Sequence, residues 1–162
     1  MTYLPYPEAS YHGEKGEPSG RHRPASAPPE VVSAAGTAIH YLATGASTDG
    51  QLGLYRYEMG PGRGGPGPHF HRSITESFYV LSGTIRLYDG SGWTDGRVGD
   101  FLYVPQGGVH AFRNESGEPA SMLILFTPGA PREDYFERVS AAAAMSEQER
   151  GEFFLRHDTF WT

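Results

Sequence analysis

Three features of the 162-residue sequence predict an all-β fold. Glycine (22 residues), proline (13) and aromatics (13%) are all abundant, a mix that favours short strands joined by tight turns over a helical bundle. Runs rich in Val, Ile, Leu, Tyr and Phe recur between turn signals from residue 31 to residue 127. Only residues 129–162 change to a helical period.

In chain order, residues 1–30 contain Pro5, Pro7, Pro18, Pro24, Pro28 and Pro29 and are read as an irregular arm, onto which Tyr3, Tyr6 and Tyr11 offer packing surface. His12 and His22 belong to this arm, away from any metal pattern. Strands are expected at residues 37–44 and 51–59, with His40 as an ordinary strand residue. Residues 60–67 read Gly-Pro-Gly-Arg-Gly-Gly-Pro-Gly and hold a formal G-x-G-x-x-G at Gly62, Gly64 and Gly67. A dinucleotide fingerprint would open a helix at once. Pro66 and Pro68 follow instead, so the loop is read as a rigid lead into a histidine-bearing strand. Residues 76–82, 84–88 and 92–95 read as a meander turning at Gly83, Asp89-Gly90 and Asp95-Gly96. Further strands follow at 97–104, 110–113 and 121–127, the last apolar enough to be buried on both faces. Asn114-Glu-Ser116 matches a glycosylation acceptor but is read as ending a strand. Beyond Pro131, a position suited to a helix start, Tyr135, Phe136, Val139 and Ala143 share one stripe that packs on the β domain. Ser146-x-x-Glu149 is a capping box for a second short helix. The predicted organisation is an arm (1–30), a β domain (31–128) and a helical extension packed on it (129–162).

The chemistry concentrates in two stretches. His69 and His71 are two residues apart, so on an extended strand both imidazoles leave the same face. Glu76 follows after a bend, and His110 closes another strand-like run. Three imidazoles and one carboxylate suit a divalent first-row transition metal. The patterns His69-x-His71-x4-Glu76-x6-Gly83 and Gly99-x5-Pro105-x-Gly107-x2-His110-x3-Asn114 resemble the two motifs of the cupin superfamily. One departure is visible: Arg63 stands where the family carries a glycine six residues before the first histidine, a turn position and not a ligand. The ending, Pro131-x-Glu-Asp-Tyr-Phe-Glu into His157-Asp-x-x-Trp161, is similar to small cupins described as quercetin dioxygenase-like.

The resemblance implies a double-stranded β-helix, or jelly-roll barrel, holding one metal ion (Fe, Mn, Ni, Co, Cu or Zn) on His69, His71, Glu76 and His110. It implies a metal-dependent oxygenase, dioxygenase-like, in which Glu76 is both ligand and proton acceptor. The expected substrate is small, enolisable and aromatic or polyketide-type, with O2 as co-substrate. Strand parity places Phe78 and Val80 on the side of Glu76, and Phe112 on the side of His110; with Tyr57 and Met59 these form the expected substrate lining. Two other readings share the metal site: a non-oxidative isomerase, cyclase or epimerase, and a non-catalytic small-molecule-binding cupin.

Composition excludes other classes. The net charge of −6, with Lys15 the only lysine, argues against nucleic acid. Cysteine is absent, so no thiolate serves as ligand or nucleophile. No apolar run approaches a membrane span, and the first residues lack the basic and apolar regions of a secretory signal. A cytoplasmic homodimer is expected, the arm or the strand after Val31 covering an exposed sheet edge.

Overall fold

The computed structural model describes residues 3–62 and 64–162. Arg63, where the first motif departs from its pattern, lies outside the described residues, as do the first two residues of the arm. Among the described residues eleven strands follow one another: β1 (Val31–Val32), β2 (Thr37–Ala43), β3 (Gly53–Met59), β4 (His69–Phe70), β5 (Thr75–Ser82), β6 (Thr84–Tyr88), β7 (Trp93–Arg97), β8 (Phe101–Val104), β9 (Ala111–Arg113), β10 (Ala120–Thr127) and, at the far end, β11 (Phe160–Trp161). Between β10 and β11 lie two short helices, α1 (Arg132–Arg138) and α2 (Glu147–Arg156). No helix among the described residues is long and apolar enough to cross a membrane.

The strands form two layers of a jelly-roll, double-stranded β-helix. One is a six-stranded sheet in the order β1-β2-β3-β10-β5-β8; the other contains β7-β6-β9 and the pair β11-β4. An isolated antiparallel bridge between His69 and His110 joins the last two pieces. The core lies between the layers, where Tyr55, Phe78, Met122 and Phe126 of the first meet Ile85, Leu87 and Phe112 of the second. Phe112 is the junction, its ring 5.4 Å from Tyr57 and 5.6 Å from Phe78.

Local expectations are met unevenly. Residues 3–30 carry no helix or strand. The chain does not turn at Asp95-Gly96; β7 runs straight through Gly96. A Cβ at Gly96 would stand 2.9 Å from Leu87 Cδ1 and 3.0 Å from the Ile85 carbonyl, so the glycine serves close strand approach. The turn falls at residues 98–100, with Gly99 at φ 93 and Asp100 Oδ2 accepting from the Arg97 N–H. This splits the strand expected over 97–104. β10 is not fully buried on both faces: Met122, Ile124 and Phe126 are enclosed, while Leu123 and Leu125 alternate with them half-buried. On the helical side Ala142 is buried and Ala143 exposed. The reason is that α1 stops at Arg138 and tightens into a 3-10 segment, Val139–Ala144, whose three-residue turn advances the inner stripe by three positions. Both halves of the Ser146–Glu149 capping box are formed.

Candidate metal centre

Three pieces of backbone deliver the four ligand-type side chains. His69 opens β4, and His110 faces it across the bridge, with N–H···O bonds of 3.0 and 2.9 Å in the two directions. His71 follows two residues after His69 on the same side, as the His-x-His spacing predicts. Its carbonyl accepts from the Gly107 N–H at 2.7 Å, which ties the second motif to the first. Glu76 comes from β5 in the opposite layer, so the site bridges the two sheets. All four residues are buried, and their ligand atoms lie within 4.8 Å of one another.

The imidazoles are held in one orientation by backbone carbonyls. Nδ1 of His69 faces the Gly67 carbonyl at 2.8 Å, His71 that of Asp158 at 2.6 Å, and His110 that of Gly108 at 2.9 Å. A carbonyl only accepts, so each Nδ1 carries the proton and the Nε2 of a neutral ring presents a lone pair. Yet Nε2 of His71 and of His110 stand 2.9 and 2.8 Å from the same Glu76 Oε2. Lone pairs that close to a carboxylate oxygen need a proton or a cation among them. Burial alone would raise the Glu76 carboxyl, but the His110 and His71 imidazoles overcome it and hold the group well below the usual carboxylate range. Burial likewise opposes charge on His110, and Glu76 beside it prevails and raises the imidazole. Burial pushes His69 down to about 4, Glu76 opposing and His110 adding to it. A buried N3O set with its lone pairs converging fits a divalent first-row ion.

A cavity of about 230 Å³ opens on His69 and Glu76. Its walls are aromatic: Tyr57, Phe112, Tyr135, Phe136, Phe154 and Trp161. Of the expected lining, Tyr57 and Phe112 face this cavity, whereas Phe78, Val80 and Met59 are buried in the core outside its lining. Strand parity tells which side of a sheet a residue takes, not how far along the strand the ligand space extends. Residues 64–66 form another wall; a Cβ on Gly65 would collide with the Phe112 carbonyl.

The C-terminal segment contributes most of what the motifs do not name. Tyr135 and Phe136 come from α1, Phe154 from α2 and Trp161 from β11, whose pairing with β4 sets Trp161 opposite His69. Their signal in the sequence was the aromatic density after residue 131. Asp158 makes the joint. It is left-handed (φ 52), its carbonyl orients His71, and its carboxylate accepts from the N–H groups of Arg72 and Ser73 and from the Ser73 hydroxyl. Asp158→Asn tolerates the left-handed backbone but weakens this anchor. It is expected to lower metal affinity about 10-fold, the low end for loss of a ligand's supporting partner; unchanged affinity in a chelator competition would show that the anchor does not reach the metal. Asn114 is fully buried, its amide spent on the Gly60 and Glu118 carbonyls, so it is a structural strand end and no glycan acceptor in the folded chain. His40 lies near Arg56 and Glu58, outside the metal cluster.

Comparison with known proteins agrees with this geometry. Residues 55–126 match the family described as Cupin domain. Over 100 residues the chain is 35% identical to quercetin 2,3-dioxygenase of Bacillus subtilis (strain 168), covering 58% of this chain and 28% of that protein. Over 83 residues it is 35% identical to germin-like protein 5-1 of Oryza sativa subsp. japonica, covering 47% and 36%. The chain therefore spans only about a third of the length of these two relatives. A predicted oxalate decarboxylase from Thermotoga maritima shares the fold, with a TM-score of 0.57 at 20% identity over 64% of this chain and 95% of that one. Both motifs lie within the matched stretch and fold onto one buried cluster between the layers of a jelly roll, so residues 55–126 are a cupin domain.

Proposed function

We propose that the protein is a metal-dependent oxygenase of dioxygenase type, acting on a small, enolisable, aromatic or polyketide-type molecule. The observation that carries this reading is the N3O cluster set in the wall of an aromatic cavity. Four protein ligands leave positions free on a six-coordinate ion, whereas a structural zinc site closes its coordination at four. When bound, the ion supplies Lewis acidity that stabilises an enolate oxygen. The chain supplies the rest. Glu76 accepts the substrate's hydroxyl proton at Oε1, the oxygen that neither imidazole bond uses. Tyr57, Phe112 and Trp161 hold a planar apolar body and exclude water. A dioxygenation places both atoms of O2 in the product and balances without an external reductant.

Two further points support the oxygenase over its alternatives. The partial likeness to a quercetin 2,3-dioxygenase is one. The other is the lining: walls that are mostly aromatic stack on a planar ring system, whereas a puckered sugar offers them no flat face. The test is oxygen uptake by protein loaded separately with Fe2+, Mn2+, Ni2+, Co2+, Cu2+ or Zn2+, offered flavonols and 1,3-diketones. Uptake matching substrate loss, one O2 per molecule, is expected with a redox-active ion. Conversion without oxygen uptake would assign the site to isomerisation or cyclisation, and tight binding without conversion to a non-catalytic role.

A further inference from the structure

Arg132, the first residue of α1, lines the same cavity as His69 and Glu76 and is only 4% exposed. Nη1 donates to the His157 carbonyl at 2.7 Å, and the guanidinium lies over the Tyr135 ring, 4.1 Å from its centre. These contacts hold the group in place without neutralising it. The Nε atoms of Arg56, Arg86, Arg113 and Arg132 are all buried without a hydrogen bond among the described residues. For the first three a carboxylate oxygen stands at 3.0, 3.2 and 2.9 Å. Arg132 has no carboxylate partner among the described residues. A buried, unpaired guanidinium is costly, and an anion reaching it from the cavity relieves that cost.

We infer that Arg132 is the anion-binding residue of the substrate site, and that the substrate carries a carboxylate besides the oxygen directed to the metal. This rests on the cavity being the substrate site, as proposed above. Among the described residues Arg132 is the only lysine or arginine of the lining, and the planar guanidinium fork matches one carboxylate. Glu76 lines the same cavity, but its ion pairs among the described residues are with His71 and His110 and not with Arg132.

The test reads binding alone. Zn2+-loaded protein, which consumes no oxygen, is titrated with 4-fluorobenzoate and with its neutral counterpart 4-fluorobenzamide, followed by fluorine NMR. The benzoate is expected to bind the wild type at least about 10-fold more tightly than the amide. Arg132→Gln is expected to weaken the benzoate about 10–100-fold and leave the amide unchanged, and Arg132→Lys to restore part of the loss. Should the Gln variant not fold, the wild type still decides. Its preference for benzoate is expected to survive removal of the metal by chelator. Equal affinity for the two probes, or a preference that vanishes with the metal or persists in Arg132→Gln, overturns the assignment. Because neither O2 nor turnover enters, a failed oxygenase reading leaves this result standing. Conversely, a failed anion preference leaves an oxygenase with a neutral substrate.

Discussion

Metal-loaded Glu76→Gln is expected to turn over its substrate about 10²–10⁴-fold more slowly than the wild type, the usual scale for loss of a general base. The histidines have one lone pair each to give, and their Nδ1 protons are engaged by Gly67, Asp158 and Gly108. Glu76 alone has a second oxygen and can accept a proton while remaining in the site. Its carboxyl is also held well below the usual range by His110 and His71 despite complete burial, so at neutral pH it enters the reaction as carboxylate. Glutamine keeps the shape and one oxygen donor but lacks the charge and nearly all the basicity. The variant therefore keeps part of its metal, and the loss appears in kcat. Rates are compared at equal metal content measured by elemental analysis. A fully loaded Glu76→Gln enzyme running at near wild-type rate would reduce Glu76 to a ligand.

His110→Ala is expected to fail at the earlier step of metal retention. His110 is 1% exposed, faces Glu76 Oε2 at 2.8 Å and completes the set that His69 and His71 begin. Alanine leaves two imidazoles and a carboxylate, with a buried void in place of the third ring. Affinity should fall by more than the ~10–100-fold that loss of a merely supporting partner costs, and the metal-dependent rise in melting temperature should shrink with it. Excess metal should restore part of the activity, whereas it should not rescue Glu76→Gln. Equal metal content for His110→Ala and wild type after the same chelator dialysis would remove His110 from the ligand set.

Much of the centre was legible in the chain because its parts are short-range. His69-x-His71 shares a face by strand parity alone. The approach to His110 is set by a turn whose Pro105, Gly107 and Gly108 are visible, whereas the bend from His71 to Glu76 has no glycine or proline and is held by Asp158 on Arg72 and Ser73. The all-β architecture was likewise carried by local turn chemistry, as was the capping box at Ser146. Errors arose where a residue's local preference had two uses. Gly96 read as a turn, yet close approach to Leu87 and Ile85 claimed it for a strand; Ala143 lost its inner place to Ala142 when the helix tightened.

By itself, then, the sequence determined the His69-x-His71 pair, its carriage on a strand and the fold class, since each depends on periodicity or spacing within a few residues, while the resemblance to the two cupin motifs supplied Glu76 and His110. Only the tertiary structure decided that Glu76 meets the histidines from the opposite sheet, and that Phe78, Val80 and Met59 fill the core while Tyr57 and Phe112 face the cavity. It also decided that the C-terminal segment closes the site. Asp158 orients His71 across 87 positions of chain, and β11 sets Trp161 beside His69. Arg132 enters the cavity only because α1 folds back onto the sheets. Such contacts follow from how two layers and a returning segment bury their apolar faces together, a global packing solution that no local spacing encodes.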